Sequence, residues 1–472
     1  MKKFITIICL LMFSLLLVAC GSSTKGTNNG NVTEPQKKSI YKEAGAQKIV
    51  IYTRTFEEWH QKWLSNLVND FNADLTDGIQ VEVKFYTEDT YPDALVVARE
   101  NGKAPDIFIS TYGDLYTNYN NNWCAPIEEY LTDAQKEDFF EGALNMVSYG
   151  GHMMAYPWNL EPGSLLFYRK DLLESAGVTS VPKTWDELYA ACEKIKPNLS
   201  RGKYCLGVPL GQIECSWVSY GLQMNTTGGL ALNDDWSETR IDHEGYKDIA
   251  EFFYTLYKNG YSPIAGITDE GYTDIVEALC DGKVAMTFAG SWSVSYIYDY
   301  LTEEEDKKII DQIGVAPIPT KEGKQDIATS SNGGWCYCIS QASKHKDMAA
   351  KVLNYMFAQS PEITAQYFIA AYNSKSPTSK SVKDYLDTIT VVTPAEWIQV
   401  INDVASKGFP EAIYPWDIAS EVGGIFATME LNAKTDTFES LYAKALLTAK
   451  SNIATVMSRS NFPKNPRLTE KE

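Results

Sequence analysis

Short apolar runs alternate with a helical pattern over residues 48–109, and this alternation constrains the fold more than any other feature of the chain. Residues 49–52 form a short apolar run, which predicts a strand. Large apolar residues then recur every four positions over 59–71, as on one face of an amphipathic helix. Apolar and polar residues alternate over 79–85, and a further apolar run follows at 106–109; both predict strands. Strands that alternate with helices in this order are typical of an α/β layer with parallel pairing.

The first twenty residues combine a positive segment, an apolar run and a cysteine. Lys2 and Lys3 precede the apolar run 4–18, which is too short for a stable membrane span. The small residue Ala19 then precedes Cys20, as in a bacterial lipoprotein signal. We therefore expect cleavage after residue 19 and diacylation of Cys20, because two acyl chains anchor a protein far better than one. An ordinary secretory signal with a chance cysteine is the alternative.

The overall composition limits the classes of partner. The chain has 472 residues, enough for two ordinary domains, and a formal net charge of -19. A surface of this charge repels nucleic acid and anionic lipid, so we expect no nucleic-acid partner. Residues 20–47 are rich in Gly, Ser, Thr, Asn and Lys and predict a flexible tether, and 461–472 form a polar tail. No apolar stretch after residue 19 is long enough to cross a bilayer.

The cysteines do not form the framework of a small disulfide-rich domain. Seven of the nine remain after Cys9 leaves with the signal and Cys20 takes the lipid, and an odd number cannot pair completely. Cys336 and Cys338 lie in an apolar run that predicts a buried strand with free thiols. A single disulfide, such as Cys205–Cys215, remains open. No histidine or second cysteine pair lies nearby, so we expect neither a metal site nor a cofactor.

Sequence motifs of common enzyme classes are absent. The chain has no G-x-G fingerprint for dinucleotides, no P-loop, no G-x-S-x-G elbow and no H-E-x-x-H. A pair of carboxylates for glycoside hydrolysis cannot be recognised from sequence, because such pairs are distant in the chain.

Several motifs, in a fixed order, resemble those of a known family. They are Gly102–Ile107, Tyr156–Pro157, Ser164–Leu173, Val181–Leu188, Gly282–Met286, Gly290–Trp292 and Gly333–Trp335. Together they resemble bacterial extracellular solute-binding proteins of ABC importers, in the carbohydrate-binding group, over most of residues 48–458. Arg169 departs from the pattern, since the family usually has asparagine there.

The resemblance implies an α/β, two-lobed fold of the periplasmic-binding-protein type (type II), with the ligand cleft between lobes joined by crossing hinge strands. The implied divisions are 48–157 and 317–372 for lobe one, 162–313 and 378–460 for lobe two, and crossovers at 156–162 and 314–319.

The same resemblance implies a receptor that is not an enzyme. It would capture a sugar, with an oligosaccharide preferred, by hinge closure, and deliver it to the permease of an ABC transporter as a monomer anchored through Cys20. A binding protein for a polyamine or a peptide is the runner-up, and a sensory receptor subunit would have the same fold. A lipid-anchored glycosidase is the alternative from a different class.

Comparison with maltodextrin-binding proteins suggests three ligand-binding residues. Their hinge carries Tyr-Pro followed by a ligand-binding glutamate, and Glu161 follows Tyr156–Pro157 here in the same way. Trp292 resembles their stacking tryptophan, since sugar rings stack on flat aromatic faces. Asp114 lies one position away from their hydroxyl-binding aspartate.

The remaining candidates rest on residue type and position. Arg54 ends the first predicted strand, and α/β folds place ligand contacts beyond the carboxyl ends of strands. Trp335 lies beside Cys336, so it belongs either to the cleft or to the core. Trp217 and Trp416 are further candidates for stacking. By contrast, Trp59 and Trp63 lie on the apolar stripe of the first helix, and we expect both in the core.

Overall fold

The structure is a computed structural model, and it describes residues 45–465 except 75–77, 209–211, 264–271, 412 and 414. The side chains of 74, 212–217 and 272–274 are not described either. The predicted signal, Cys20 and nearly all of the tether therefore lie outside the described residues, as does the tail beyond residue 465.

The strands are β1 (Gln47–Arg54), β2 (Ile79–Tyr86), β3 (Ile107–Thr111), β4 (Ser148–Tyr149), β5 (His152–Met153), β6 (Tyr156–Pro157), β7 (Asn159–Pro162), β8 (Leu165–Arg169), β9 (Tyr204–Gly207), β10 (Val284–Ala289), β11 (Ile313–Pro317), β12 (Ser331–Gly333), β13 (Trp335–Ile339), β14 (Ser376–Pro377) and β15 (Phe409–Pro410). The helices are α1 (Glu58–Asp74), α2 (Tyr91–Glu100), α3 (Tyr112–Asn120), α4 (Asp133–Asp138), α5 (Glu141–Val147), α6 (Lys170–Ser175), α7 (Trp185–Ile195), α8 (Gln212–Thr227), α9 (Glu244–Lys258), α10 (Tyr272–Cys280), α11 (Ser293–Tyr300), α12 (Lys307–Gln312), α13 (Lys346–Phe357), α14 (Pro361–Ala370), α15 (Lys380–Leu386), α16 (Ala395–Lys407), α17 (Trp416–Asn432) and α18 (Phe438–Met457).

The first sheet has the strand order β2-β1-β3-β13-β6. β1 is parallel to β2 and to β3, as the alternation of strands and helices predicts. β13 joins this sheet from far along the chain and is antiparallel to β3. Cys336 and Cys338 are fully buried on β13, which confirms the prediction of a buried strand there. Parallel pairing places the carboxyl ends of β1 and β3 at one edge of the sheet.

The second sheet has the order β11-β8-β10-β9. β10 is parallel to β9 and antiparallel to β8, which also pairs with β11. Every residue of β10 is buried, so this strand forms the centre of the second core. The helix α7 packs against β9 of this sheet and begins with the capping box of Thr184 and Glu187, in which each side chain binds the other residue's backbone N–H.

A third, small sheet lies where the chain passes between the two larger ones, and we call it the hinge sheet. Its order is β14-β7-β12-β15. β7 directly connects the first sheet to the second, and β12 connects them in the return direction, antiparallel to β7. Gly334, with φ of 129°, follows β12, and a Cβ there would lie 2.4 Å from the carbonyl oxygen of Asn159. Glycine is therefore needed for the crossing strands to pack this closely.

The position of the second crossing differs from the prediction. Gly314 to Pro317 belong to β11 of the second sheet, and Thr320 still bridges to Thr184 beside α7. The chain reaches the first sheet only through β12 and β13. The segment 314–319, where the family resemblance implies a crossover, instead contains the end of β11.

The described cysteines carry free thiols. Cys124, Cys192, Cys205, Cys280, Cys336 and Cys338 are free and buried. The Sγ atom of Cys205 lies 3.4 Å from the carbonyl oxygen of Cys192. The side chain of Cys215 lies outside the described part of the structure.

Candidate functional site

The carboxyl end of β1 meets the start of β13 at the edge of the first sheet that faces the second. The guanidinium of Arg54 lies over the ring of Trp335, 4.6 Å from its centroid, and 5.5 Å from that of Phe56. Phe56 and Trp335 contact each other edge to face with centroids 4.6 Å apart. Arg54 also forms an ion pair with Glu88, which follows β2. One aromatic wall of the cleft is therefore already braced by a cation–π contact.

A buried charged group lies in the hinge. Glu161 on β7 and Lys375, which directly precedes β14, form an ion pair of 2.8 Å, and their side chains are only 6% and 7% exposed. The strand β14, which follows Lys375, pairs with β7, and this pairing brings the two side chains together. The carboxyl of Glu57 lies near this pair. Desolvation by burial raises the pKa of Glu57 to about 7, although Lys375 acts in the opposite direction.

Ser295 links this group to the second sheet. Its Oγ atom lies on α11, 3.1 Å from Oε1 of Glu57 and 2.8 Å from the carbonyl oxygen of Trp292. Oε2 of Glu57 is shielded from solvent and has no hydrogen-bond partner in the structure. We call Glu57, Glu161, Ser295 and Lys375 the hinge cluster. It contains a residue between β1 and α1, two residues of the hinge sheet or its border, and one residue of α11.

Trp292 is positioned by the turn that follows β10. It precedes α11 and is 8% exposed. A Cβ on Gly290 would lie 1.9 Å from the indole ring of Trp292, so the ring packs directly against the glycine backbone. The sequence Gly290–Ser291–Trp292 is thus a folded unit in which glycine makes room for the tryptophan.

A recess lies between α3 on one side and α8 and α17 on the other. It has a volume of about 370 Å³, and its lining includes Gly113, Asp114, Tyr116, Tyr220 and Trp416. Trp416 is 49% exposed at the start of α17. Thr111 caps α3 by accepting a hydrogen bond of 2.8 Å from the backbone N–H of Asp114. We call this recess the outer cavity.

Aromatic contacts join the lobes on both sides of these groups. Tyr298 of α11 stacks on Tyr372, which follows α14, with centroids 4.7 Å apart and an interplanar angle of 11°. Tyr116 of α3 contacts Trp236 edge to face at 6.0 Å. These contacts tie α11 to the segment after α14, and α3 to the segment around Trp236.

The structure brings together most of the residues singled out in the sequence, in three groups. Arg54 and Trp335 are in direct contact, Asp114 and Trp416 line the outer cavity, and Glu161 lies in the hinge cluster. Trp292 is connected to the hinge cluster through Ser295. Trp217 lies in α8, but its side chain is outside the described part of the structure.

The two tryptophans expected in the core lie there. Trp63 is buried and stacks on Trp158 with centroids 5.5 Å apart, and Trp59 packs against the same cluster. His60 lies between them, fully buried, and desolvation lowers its pKa to about 3. The imidazole is therefore neutral at physiological pH and serves as a packing group.

Three functional candidates were not recognised in the sequence. Glu57 directly precedes α1, so the strand-end rule that selected Arg54 applies to it equally. Ser295 and Lys375 carry no such signal, because their proximity to Glu57 and Glu161 arises only when the lobes and the hinge assemble. No cluster of metal-ligating side chains is found among the described residues, and no helix in that part of the chain is long and apolar enough to cross a membrane.

Comparison with known proteins identifies relatives of this arrangement. The model of the family described as bacterial extracellular solute-binding protein matches residues 66–398. This is a family of solute-binding transport proteins and not an enzyme family. The maltotriose-binding protein of Pyrococcus abyssi is 25% identical over 327 residues, which cover 69% of this chain and 65% of that protein. The match thus spans less than two thirds of that relative's length.

A second relative and a solved structure agree with this result. The maltooligosaccharide ABC transporter solute-binding lipoprotein of Streptococcus pneumoniae is 22% identical over 358 residues, covering 73% of this chain and 74% of that one. The structure of the sugar-binding protein MalE of Xanthomonas citri superposes with a TM-score of 0.69 at 20% identity, covering 87% of this chain and 98% of that chain. The structural likeness establishes the two-lobed fold.

Proposed function

Because the chain belongs to the family of bacterial extracellular solute-binding proteins, we propose that it captures a sugar, with an oligosaccharide preferred, and delivers it to the permease of an ABC importer. The observation that carries this proposal is the convergence of aromatic and polar side chains from both lobes on one cleft crossed by hinge strands. Sugar rings need flat aromatic faces for their C–H surfaces and polar side chains for their hydroxyls. The names of the two relatives support the same ligand class.

The site that we propose contains Arg54, Glu161, Trp292 and Trp335 at its inner end. Asp114 and Trp416 extend it into the outer cavity, where a longer oligosaccharide would lie, and Trp217 remains a candidate. Because Glu161 is paired with Lys375 through Oε1, it holds β7 beside the segment before β14. Its other carboxylate oxygen accepts hydrogen bonds from hydroxyls of the ligand.

The lobes that we propose follow the sheets. Lobe one holds the first sheet and lobe two the second, and β7 and β12 are the two crossings. The chain acts as a monomer without catalysis, since delivery of an intact ligand requires only opening and closing of the lobes. Incubation with an oligosaccharide that binds should leave it unhydrolysed, and release of shorter sugars would favour the glycosidase alternative.

A thermal-shift screen tests the ligand class. The soluble form, residues 25–472, is heated with mono- and oligosaccharides, and with spermidine and a peptide mixture as controls. A ligand at about 100 times its Kd adds about 2.7 kcal/mol to the free energy of unfolding, which raises the midpoint measurably. Stabilisation by one series of sugars is expected. If only spermidine or peptides stabilise the protein, the sugar assignment is wrong and the two-lobed receptor remains.

The anchor that we propose is the lipid on Cys20, at the extracellular face of the cell membrane. Exchange of Cys20→Ala should move the protein from the membrane fraction to the soluble fraction, because the acyl chains have no other attachment residue. The lipoprotein name of the pneumococcal relative supports this expectation. Retention of the Cys20→Ala variant in the membrane would show that another feature holds the protein there.

A further inference from the structure

The Ser295 hydroxyl has two oxygen atoms within hydrogen-bond distance but only one proton. Trp292 offers a backbone carbonyl at 2.8 Å, which can only accept, and Glu57 offers Oε1 at 3.1 Å. If Glu57 is ionised, it can only accept as well, so the two contacts share the single Ser295 proton, and the hydrogen bond from Ser295 then lowers the pKa of Glu57. If Glu57 is protonated, its O–H donates to Ser295 Oγ and the Ser295 O–H donates to the carbonyl of Trp292. Each of the two contacts therefore has a hydrogen of its own only when Glu57 is protonated.

The charges around Glu57 do not remove this requirement. From the hinge, Lys375 attracts the carboxylate, but Lys375 is already paired with Glu161 at 2.8 Å, and Glu161 repels Glu57. From α11, Asp299 repels it too.

The other charged groups nearby act elsewhere. Arg54 on β1 is held by Glu88 and by the ring of Trp335. Glu58, the next residue in α1, is exposed and interacts with Asp299. No cation on the elements packed around Glu57 in the described structure is therefore committed to it alone.

We propose that closure of the two lobes binds one proton, which is held between Glu57 of the first lobe and Ser295 of the second, so that capture of the solute is favoured at mildly acidic pH. Glu57 and Ser295 lie on opposite lobes, so their contact exists only when the lobes are closed. Opening separates them and returns the carboxyl to water. This inference rests on the proposed function, since it assumes that the cleft captures its ligand by closing.

The sign of the pH effect follows from the two conformations. In the closed conformation the pKa of Glu57 is raised to about 7, whereas an exposed carboxyl titrates near 4.5. Closure therefore takes up a proton between these values, and the closed form loses its advantage as the pH rises through 7. Linkage gives about a tenfold larger ratio of closed to open protein at pH 6 than at pH 8.

The first test uses ligand-free mature lipoprotein in detergent micelles. Cysteines introduced at the exposed positions Asn101 of the first lobe and Lys203 of the second carry dyes that report the distance between the lobes. The ratio of closed to open protein is measured at pH 6 and pH 8. We expect the tenfold change in the unaltered protein, its loss in Glu57→Gln, and its retention in the matched control Glu58→Gln. An unaltered protein without this pH response, or a Glu57→Gln variant that keeps it, would overturn the proposal.

A second variant covers the case in which Glu57→Gln does not fold. Ser295→Ala removes the acceptor of the proton and leaves the carboxyl in place, so it should lower the closed fraction at pH 6 more than at pH 8. An equal reduction at both values would contradict a shared proton.

Calorimetry with maltotriose as the probe separates this inference from the proposed function. Titrations at pH 6 in two buffers of different ionisation enthalpy give the number of protons bound, which should be about 0.9. Binding without proton uptake would contradict the proton mechanism and would support the proposed function as a sugar receptor. Failure of maltotriose and every other sugar to bind would contradict the proposed function. The distance measurement between the lobes would still show whether closure binds a proton.

Discussion

The hinge cluster and the outer cavity, which we propose to belong to one binding site, differ in almost every physical property. The hinge cluster is charged and buried, with the Glu161–Lys375 pair almost entirely removed from water. The outer cavity is open, lined by amides and aromatic rings, and its largest ring, Trp416, is half exposed. In the hinge cluster, we expect the loss of one charge to alter the stability of the fold itself. In the outer cavity, we expect the loss of a side chain to alter only the contact area for a ligand.

This difference assigns closure of the lobes and selection of the ligand to different regions. A buried ion pair contributes little net stability, because desolvation offsets the attraction, but removal of one partner leaves an uncompensated charge. The hinge cluster is therefore sensitive to changes in conformation and pH. The outer cavity has no such charge pair, and its side chains are free to differ according to the length and shape of the ligand. We expect closure to be set at the hinge cluster and ligand length at the outer cavity.

The largest expected effect is that of Lys375→Ala. This change leaves Glu161 buried without its partner, so the free energy of unfolding should fall by about 3–5 kcal/mol. Urea denaturation followed by circular dichroism measures it. The matched control is Lys383→Ala, which breaks the exposed pair with Asp387 and should cost less than about 1 kcal/mol. Equal losses in both variants would mean that the hinge cluster is no more sensitive than the surface.

An intermediate effect is expected for Trp292→Ala. Loss of a large aromatic side chain beside the hinge cluster should weaken sugar binding by about 1–3 kcal/mol, measured by isothermal titration calorimetry. Tyr300→Ala on the same helix α11 is the control, because Tyr300 is exposed and directed to Asp281. An affinity unchanged by Trp292→Ala would assign Trp292 to packing alone. The melting midpoint of each variant shows whether a lost affinity reflects unfolding.

The smallest effect is expected for Trp416→Ala in the outer cavity. Its ring is half exposed, so its removal should cost about 0.5–1.5 kcal/mol in the binding of a long oligosaccharide and nothing measurable for a disaccharide. The comparison is made with a series of chain lengths in one assay. Equal losses of binding free energy for short and long sugars would place Trp416 at the inner end of the site. The two regions would then not differ in the way that we expect.

Local pattern was sufficient for much of the fold. The alternation over residues 48–109 predicted the parallel strands β1, β2 and β3, because it depends only on residues close together in the chain. The second crossing was placed wrongly at 314–319. That crossover was implied by the family resemblance, and short shared motifs do not fix the residue at which a chain leaves a sheet. The next strand after β11 is β12, which begins only at Ser331.

The candidate site was recovered only in part, for a related reason. Arg54 and Trp335 were selected one at a time, by strand end and by residue type, and the structure brings them into contact. Glu57 met the same strand-end rule and was overlooked because an acidic residue at the start of a helix is usual in any protein. Lys375 was missed because its importance comes from Glu161, more than two hundred residues earlier in the chain.

The sequence by itself determined the α/β pattern of residues 48–109, the buried strand at Cys336 and Cys338 and the residue types available for a sugar, because these depend on short-range periodicity and on composition. The two-lobed fold was implied by the ordered family motifs. Tertiary structure alone decided which side chains share a site. The proximity of Glu57, Ser295, Glu161 and Lys375 arises where two lobes and a hinge sheet meet. The pKa of Glu57 follows from the burial and charges found there, and neither is encoded in the residues next to it in the chain.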